Sequence, residues 1–395
     1  MGEIVHIFWI LLQVSIGYNL ILPFFLLIFW LCTGKTISKK KNRIVPELDF
    51  AIIVTAYQHT ETLAAVVKSI AQVQYSNYHI YVVADNCFDA VLSFDVEKLT
   101  VLKPEAILGS NTQSHLYALE RFNRQHDCIT IIDSDNIVHP EYLSKLNTFF
   151  QEGYQAVQGF RAAKNLNTTI SCLDAARDIY YHFYDGKVLF EIGSSATLSG
   201  SGMAFSSVLY ANFLKTVKVH GAGFDKVLQA WLVMKDVKIA FDETAIVYDE
   251  KTSKTDQLVQ QRSRWINSWF KYVGLGFKIL GEGIRNLSKH QVLFGIILLR
   301  PPLFIFLALS TISLVINLFR GEYLYVTFWA IGLSIFVMTF YISLVINKAD
   351  KRIFSSLKNI PKFVYYQFVS LIYAKRANQI SVSTKHERAD SPMEG

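Results

Sequence analysis

Asp133 and Asp135 stand two residues apart, directly after the apolar run Cys128-Ile-Thr-Ile-Ile. Two carboxylates so spaced at the end of a buried strand can share one hard divalent cation, because Mg²⁺ and Mn²⁺ prefer oxygen ligands and keep positions open for phosphate oxygens. Upstream, Phe50-Ala-Ile-Ile-Val-Thr runs into Tyr57, and Tyr78-His-Ile-Tyr-Val-Val runs into Asp85. Each acid alone reads as a cap or loop residue. Together, three runs that each deliver an acid or an aromatic hydrogen-bonding group build one pocket. Leu198-Ser-Gly200-Ser201-Gly202-Met puts small residues where a backbone approaches a ligand closely, or simply where it turns tightly. Asp225 opens a helical pattern after Gly221-Ala-Gly-Phe224, as a reactive carboxylate or as an acid on a helix dipole. Gln261, Arg264 and Trp265 add an amide, a cation and an apolar ring, the last a stacking platform or a membrane-interface anchor.

The elements that must position these residues are short. Residues 49 to about 250 alternate apolar, β-rich runs with helical patterns such as Leu63 to Ile70. Strands of continuous apolar character flanked by helices predict a parallel sheet covered on both faces. Ligands bind such sheets at the carboxyl ends of the strands, where the polar residues above stand.

Composition fixes the setting. Charged residues make up 18% of the 395-residue chain and the hydrophobic set 51%, with a net charge of only +7, which argues against disorder and against a charge-driven nucleic-acid binder. The apolar excess lies at the two ends. Residues 4–32 carry no charge and exceed the roughly 20 residues that span hydrocarbon. Glu3 precedes that run while Lys35, Lys39, Lys40, Lys41 and Arg43 follow it, the reverse of a cleaved signal peptide. The positive-inside rule then places the N-terminus outside and the following domain in the cytoplasm. Residues 303–319 and 325–346 are predicted as two further spans, the first preceded by Arg300-Pro301-Pro302 and the second followed by Lys348, Lys351 and Arg352. Ile266, Trp269, Phe270, Val273, Phe277 and Leu280, interleaved with Lys271 and Lys278, read as a helix in the membrane surface, and residues 360–377 have the same character. The four cysteines form no CxxC pair and are expected reduced.

The ordered set Thr-Ala-Tyr57-Gln, Val-Val-Ala-Asp85-Asn, Ile-Asp133-Ser-Asp135, Ser-Gly200-Ser201-Gly202-Met, Phe-Asp225 and Gln261-Arg-Ser-Arg264-Trp265 resembles the membrane-embedded family 2 glycosyltransferases, the group containing cellulose, chitin and hyaluronan synthases. The resemblance implies an α/β GT-A fold, Rossmann-like with a mostly parallel sheet, and transfer with inversion from a nucleotide-diphosphate sugar, usually a UDP-sugar, to a growing polysaccharide or lipid-linked acceptor. It implies that Tyr57 and Asp85 hold the nucleoside. Asp133 and Asp135 would hold the diphosphate through Mg²⁺ or Mn²⁺, with Asp135 the more direct ligand, and Arg264 would add a cation on the diphosphate side. Asp225 would be the general base on the acceptor hydroxyl. Gly200, Ser201, Gly202, Gln261 and Trp265 would border the acceptor. A noncatalytic scaffold subunit that keeps the fold is the alternative from another class.

The expected organisation is an N-terminal transmembrane helix with its basic flank (1–44), a GT-A domain (45–265), an interfacial amphipathic region (266–302), two transmembrane helices (303–348) and a C-terminal amphipathic segment and tail (349–395). The implied location is a bacterial inner membrane, with the lipid bilayer as a partner and, with three spans, a separate export or assembly partner. Two departures from the family's pattern stand out. Phe224 occupies a position where many relatives have Glu, and the stretch Gly109 to Leu119 contains no lysine where relatives often read Gly-Lys-x-x-Ala-Leu.

Overall fold

The computed structural model describes residues 2–33, 46–88, 90–219 and 221–374. The basic flank from Lys35 to Arg43 and the tail after Ala374, with Lys375 and Arg376, lie outside the described residues. Eight strands form one sheet: β1 (Phe50–Tyr57), β2 (Tyr78–Asp85), β3 (Leu99–Leu102), β4 (Cys128–Asp133), β5 (Ile137–Val138), β6 (Ala156–Ala163), β7 (Met203–Ser206) and β8 (Ile239–Asp249), in the order β3-β2-β1-β4-β7-β6-β8-β5.

The expected strands β1, β2 and β4 form where the apolar runs lie, because their side chains are covered on both faces. Phe50, Ile53 and Val54 of β1 and Ile80, Tyr81, Val82 and Val83 of β2 are all fully buried. Each such aliphatic side chain contributes roughly 1.5–3 kcal/mol on burial. The sheet is mixed rather than wholly parallel. β3, β2, β1 and β4 run parallel and β8 runs parallel to β6, but β7 is antiparallel to both β4 and β6, and β5 is antiparallel to β8. The chain reverses into β7 directly after the Gly200-Ser201-Gly202 turn, and this four-residue strand is too short for its apolar pattern to announce a direction.

Among the described residues two helices are long and apolar enough to cross a membrane, Ile4–Thr33 and Tyr323–Ile346. The expected span at Leu303–Phe319 has only 17 residues by itself and counts as a third only together with Lys289–Leu299, from which it bends by 72°. The bend falls at Arg300-Pro301-Pro302, where proline removes helix donors and restricts the residue before it. Arg300 is buried at the corner and donates to Asp185 Oδ1 at 2.8 Å. Farther from the sheet, Gln13 Oε1 accepts from Asn317 Nδ2 at 2.6 Å and Trp329 Nε1 at 2.8 Å, which ties the three apolar helices together.

One helix runs unbroken over Thr255–Arg285, so the expected boundary between 265 and 266 falls inside a single 31-residue element. Leu258, Ile266 and Ile279 are buried on one side of it, whereas Phe270, Phe277 and Ile284 are 55%, 65% and 62% exposed. Seven residues separate each exposed apolar group from the next, and Lys271, Lys278 and Arg285 directly follow them. The helix packs against Phe224–Met234, Lys289–Leu299 and the C-terminal Ile360–Tyr373 helix.

Candidate active site

The parallel register sets the site. Tyr57 pairs with Asp85 across β1 and β2, and Thr55 pairs with Asp133 across β1 and β4, so three adjacent strands end together and deliver Tyr57, Asp85 and Asp133 to one edge. The chain leaves β1 and β2 sharply: Gln58 and Asn86, the residues after Tyr57 and Asp85, adopt φ of 63° and 54°. A left-handed non-glycine residue costs roughly 1–2 kcal/mol, less for Asn. Strain of this kind at two neighbouring strand ends is characteristic of functional edges.

Asp85 is 2% exposed, and its carboxylate accepts the backbone N–H groups of Leu108 at 2.9 Å and Gly109 at 2.8 Å. It therefore clamps the loop that enters the Asn111–Leu119 helix against the end of β2. The Asp133 backbone N–H donates to Ser201 Oγ at 3.1 Å, and the Gly202 N–H donates to the Ile131 carbonyl at 2.9 Å. Ser201 is fully buried, so its hydroxyl serves the strand end. Gly200 and Gly202 have φ of 91° and 66°, which glycine adopts without Cβ strain. The turn is thereby fixed beside Asp133. Asp135 Oδ1 accepts from Asn136 Nδ2 at 2.9 Å.

Asp225 sits in the first turn of the Phe224–Met234 helix, with Lys226 Nζ 3.4 Å from its carboxylate. The preceding Gly223, at φ 92°, lies so close to the Thr255–Arg285 helix that an added Cβ would stand 2.8 Å from Tyr272 Cε2 and 3.2 Å from Ser268 Cβ. Ser268 Oγ in turn donates to the Arg264 carbonyl at 2.9 Å. The loop carrying Asp225 is thus seated one turn along from Arg264 and Trp265.

A buried ionic array, unexpected from the sequence, joins the two halves. Asp249, at the end of β8, accepts Arg161 Nη2 at 2.9 Å and Lys251 Nζ at 2.7 Å. Lys251 also donates to Asp178 at 2.5 Å, Asp178 pairs with Arg177, Arg177 Nε lies 3.5 Å from Asp174, and Asp174 pairs with Arg262. Arg161 also donates to the Ser199 carbonyl, at the mouth of the Gly200 turn. At the far end the Arg262 and Arg177 guanidinium carbons lie 4.0 and 4.5 Å from the Trp265 ring, which is itself 40% exposed. Burial opposes ionisation of Asp178 and Asp249, but Lys251 with Arg177, and Arg161 with Lys251, outweigh it and hold both carboxyls below the ordinary range. Burial, and then Arg177, push Arg262 down to about 10. Arg262 is the buried arginine of this stretch, whereas Gln261 and Arg264 are half-buried on the same helix.

The profile of the glycosyltransferase-like family 2 matches residues 46–268, more than half of the chain, and the chain belongs to that family. It is a glycosyltransferase. None of the curated proteins matches it. Among solved structures it is similar to the mannosyltransferase PcManGT from Pyrobaculum calidifontis, in complex with GDP-Man and Mn²⁺, at a TM-score of 0.55 and 13% identity over 91% of this chain and 98% of that one. Two others are S. aureus TarS 1-349 (TM-score 0.39, 15% identity, 84% of this chain and 90% of that one) and glucosyl-3-phosphoglycerate synthase from Mycobacterium tuberculosis with Mn²⁺ and UDP (0.37, 18%, 57% and 80%). The first of these likenesses supports a GT-A-like fold, an open, mostly parallel sheet with helices on its faces.

Proposed function

We propose that the chain transfers a sugar with inversion from a nucleoside-diphosphate donor, a UDP-sugar on the resemblance, to a growing polysaccharide or lipid-linked acceptor at a membrane surface. The observation that carries this reading is the register that ends β1, β2 and β4 together, with Tyr57 and Asp85 on the nucleoside side and Asp133 and Asp135 on the diphosphate side. Inversion in a single displacement needs a base on the acceptor hydroxyl and charge neutralisation on the leaving diphosphate. Asp225 is the base in this reading, and Arg264 a cation for the diphosphate. In this reading Trp265, against which Arg262 and Arg177 pack and which is 40% exposed, stacks on an acceptor ring, and Gln261 and the Gly200-Ser201-Gly202 turn border the acceptor.

Mg²⁺ or Mn²⁺ fits this donor set. Asp133 and Asp135 supply hard oxygen ligands, and among the described residues no group of three His, Cys, Asp or Glu side chains is placed to enclose a metal. Diphosphate oxygens and water would take the remaining positions, the manner in which Mg²⁺ binds phosphate substrates. When bound, the cation neutralises charge on the leaving group. The GDP-Man and Mn²⁺ of the Pyrobaculum enzyme support the same donor chemistry.

The exposed Phe270, Phe277 and Ile284 with their basic neighbours support a helix lying in the bilayer surface. The lysines after the first apolar helix support a cytoplasmic catalytic domain with the N-terminus outside. A donor screen on detergent-solubilised protein with Mn²⁺ tests the reading. Release of nucleoside diphosphate with one sugar donor is expected. No release and no nucleotide binding with any UDP-, GDP- or dTDP-sugar would overturn it.

A further inference from the structure

Asn136 has no part in the resemblance, yet it is fully buried at the centre of the diphosphate side. Its Nδ2 donates to Asp135 Oδ1 at 2.9 Å and to Asp249 Oδ1 at 3.3 Å. An amide between two carboxylates must present its NH₂ to both, because its oxygen would repel them. Asp249 is held on its other side by Arg161 and Lys251, both cationic and both packed inward, so it cannot swing. Among the described residues the amide's own oxygen has no partner. A buried acceptor left unpaired is costly, and the two donations to carboxylates are what the side chain's placement secures.

We infer that Asn136 and Asp249 are positioning residues for Asp135: Arg161 and Lys251 fix Asp249, Asp249 fixes the Asn136 amide, and the amide fixes the carboxylate that faces the metal and diphosphate. This rests on the donor-site reading above. Hydrogen-bond partners behind a metal-ligating carboxylate fix its orientation, and their loss typically weakens metal affinity or activity 10–100-fold. Asn136 and Asp249 are 0% and 9% exposed.

The test is Mn²⁺ binding without turnover, read by the loss of the free Mn²⁺ electron paramagnetic resonance signal in the presence of UDP or GDP. Full-length wild type, Asn136→Ala, Asp249→Asn and Asn147→Ala are compared. Asn147 is a buried asparagine that bonds the Pro46 carbonyl and the Leu48 N–H, remote from the site, and controls for simple destabilisation. The expected result is Mn²⁺ affinity about 10–100-fold weaker in Asn136→Ala and Asp249→Asn, with Asn147→Ala at the wild-type value. Should Asn136→Ala fail to fold, Asn136→Ser is read instead, because its shorter side chain cannot reach both carboxylates. Wild-type affinity in a folded Asn136 variant overturns the inference and leaves the donor site standing. A wild type that takes up no Mn²⁺ with either nucleotide overturns both.

Discussion

Replacing Asp174 by leucine removes the carboxylate on which Arg262 depends. Both residues are 2% exposed, and among the described residues the Nε and Nη1 of Arg262 have no partner. Burial followed by repulsion from Arg177 outweighs Asp174 and holds Arg262 down to about 10. Removing one partner of such a buried pair costs roughly 3–5 kcal/mol, because the other is left as an uncompensated charge. For a domain of this size that lowers the melting temperature on the order of 10 °C. Arg262→Met alone should cost a similar amount by leaving the buried Asp174 with only the 3.5 Å contact of Arg177, which Asp178 already shares. The double variant Asp174→Leu with Arg262→Met strands neither, and isosteric apolar replacement of a buried pair is commonly neutral or stabilising. Its melting temperature, followed by tryptophan fluorescence in detergent, should therefore return to within a few degrees of wild type. Transfer should not return with it, because Trp265 loses the guanidinium 4.0 Å beneath its ring. A desolvated cation–π contact is worth about 2 kcal/mol, on the order of thirtyfold in kcat/KM. Additive losses in the double variant would refute the account of the array as a near-balanced set of charges.

Asp225→Asn keeps the size of the side chain but cannot take a proton; transfer should fall by about 10²–10⁴, while Mn²⁺-dependent nucleotide binding, measured by titration, stays at the wild-type level. Undiminished transfer in this variant would remove Asp225 from the reaction. Gly223→Ala forces a Cβ to within 2.8 Å of Tyr272 at a φ of 92°, so the Asp225 loop must lift from the Thr255–Arg285 helix; kcat should drop more than the roughly 1–2 kcal/mol of backbone strain lowers stability. Acidification should destabilise the soluble domain between pH 6.5 and 4: burial holds His115 down to about 3 and His182 down to about 4, so the unfolded chain binds protons in that window that the native protein does not. The contribution is fully present above pH 6.5 and is lost as pH falls, each histidine costing about 1.4 kcal/mol per pH unit; a melting temperature that stays flat from pH 7 to 5 would contradict it.

Strands β1, β2 and β4 were legible because their signal is local. A buried parallel strand is a continuous apolar run, and its carboxyl end is simply the next residue, so Tyr57, Asp85 and Asp133 follow from the runs themselves. The array was not legible, since Arg161, Asp174, Arg177, Asp178, Lys251 and Arg262 are scattered over a hundred residues and each looks like an ordinary surface charge. Only the fold brings them below the surface. One sequence signal was nonetheless available: Asp174, Arg177 and Asp178 share a helical face at i, i+3 and i+4 within the otherwise apolar Leu173-to-Ala176 surroundings. The extent of the Thr255–Arg285 helix was hidden for a different reason. Its polar first turns and its apolar later turns read as separate elements, although the backbone pattern is continuous across Trp265 and Ile266.

The two departures from the family's pattern meet in space. The lysine-free stretch Gly109 to Leu119 contributes His115, and Phe224 directly precedes Asp225. The His115 and Phe224 rings stand edge to face at 5.5 Å. His115 is fully buried, hydrogen-bonded through Nδ1 to Tyr210 Oη at 2.7 Å and kept neutral by burial, while Phe224 is 7% exposed. A charged residue at either position alone would face an apolar or neutral neighbour and bear the desolvation cost of an unpaired buried charge. His115 and Phe224 thus form a neutral pair that packs the Asn111–Leu119 helix against the helix bearing Asp225. This contact seats that helix without any charge at these two positions. It leaves Asp225 as the sole acid in the first turn of that helix, and hands neutralisation of the diphosphate to Arg264 and the cation at Asp133 and Asp135 in the proposed reaction.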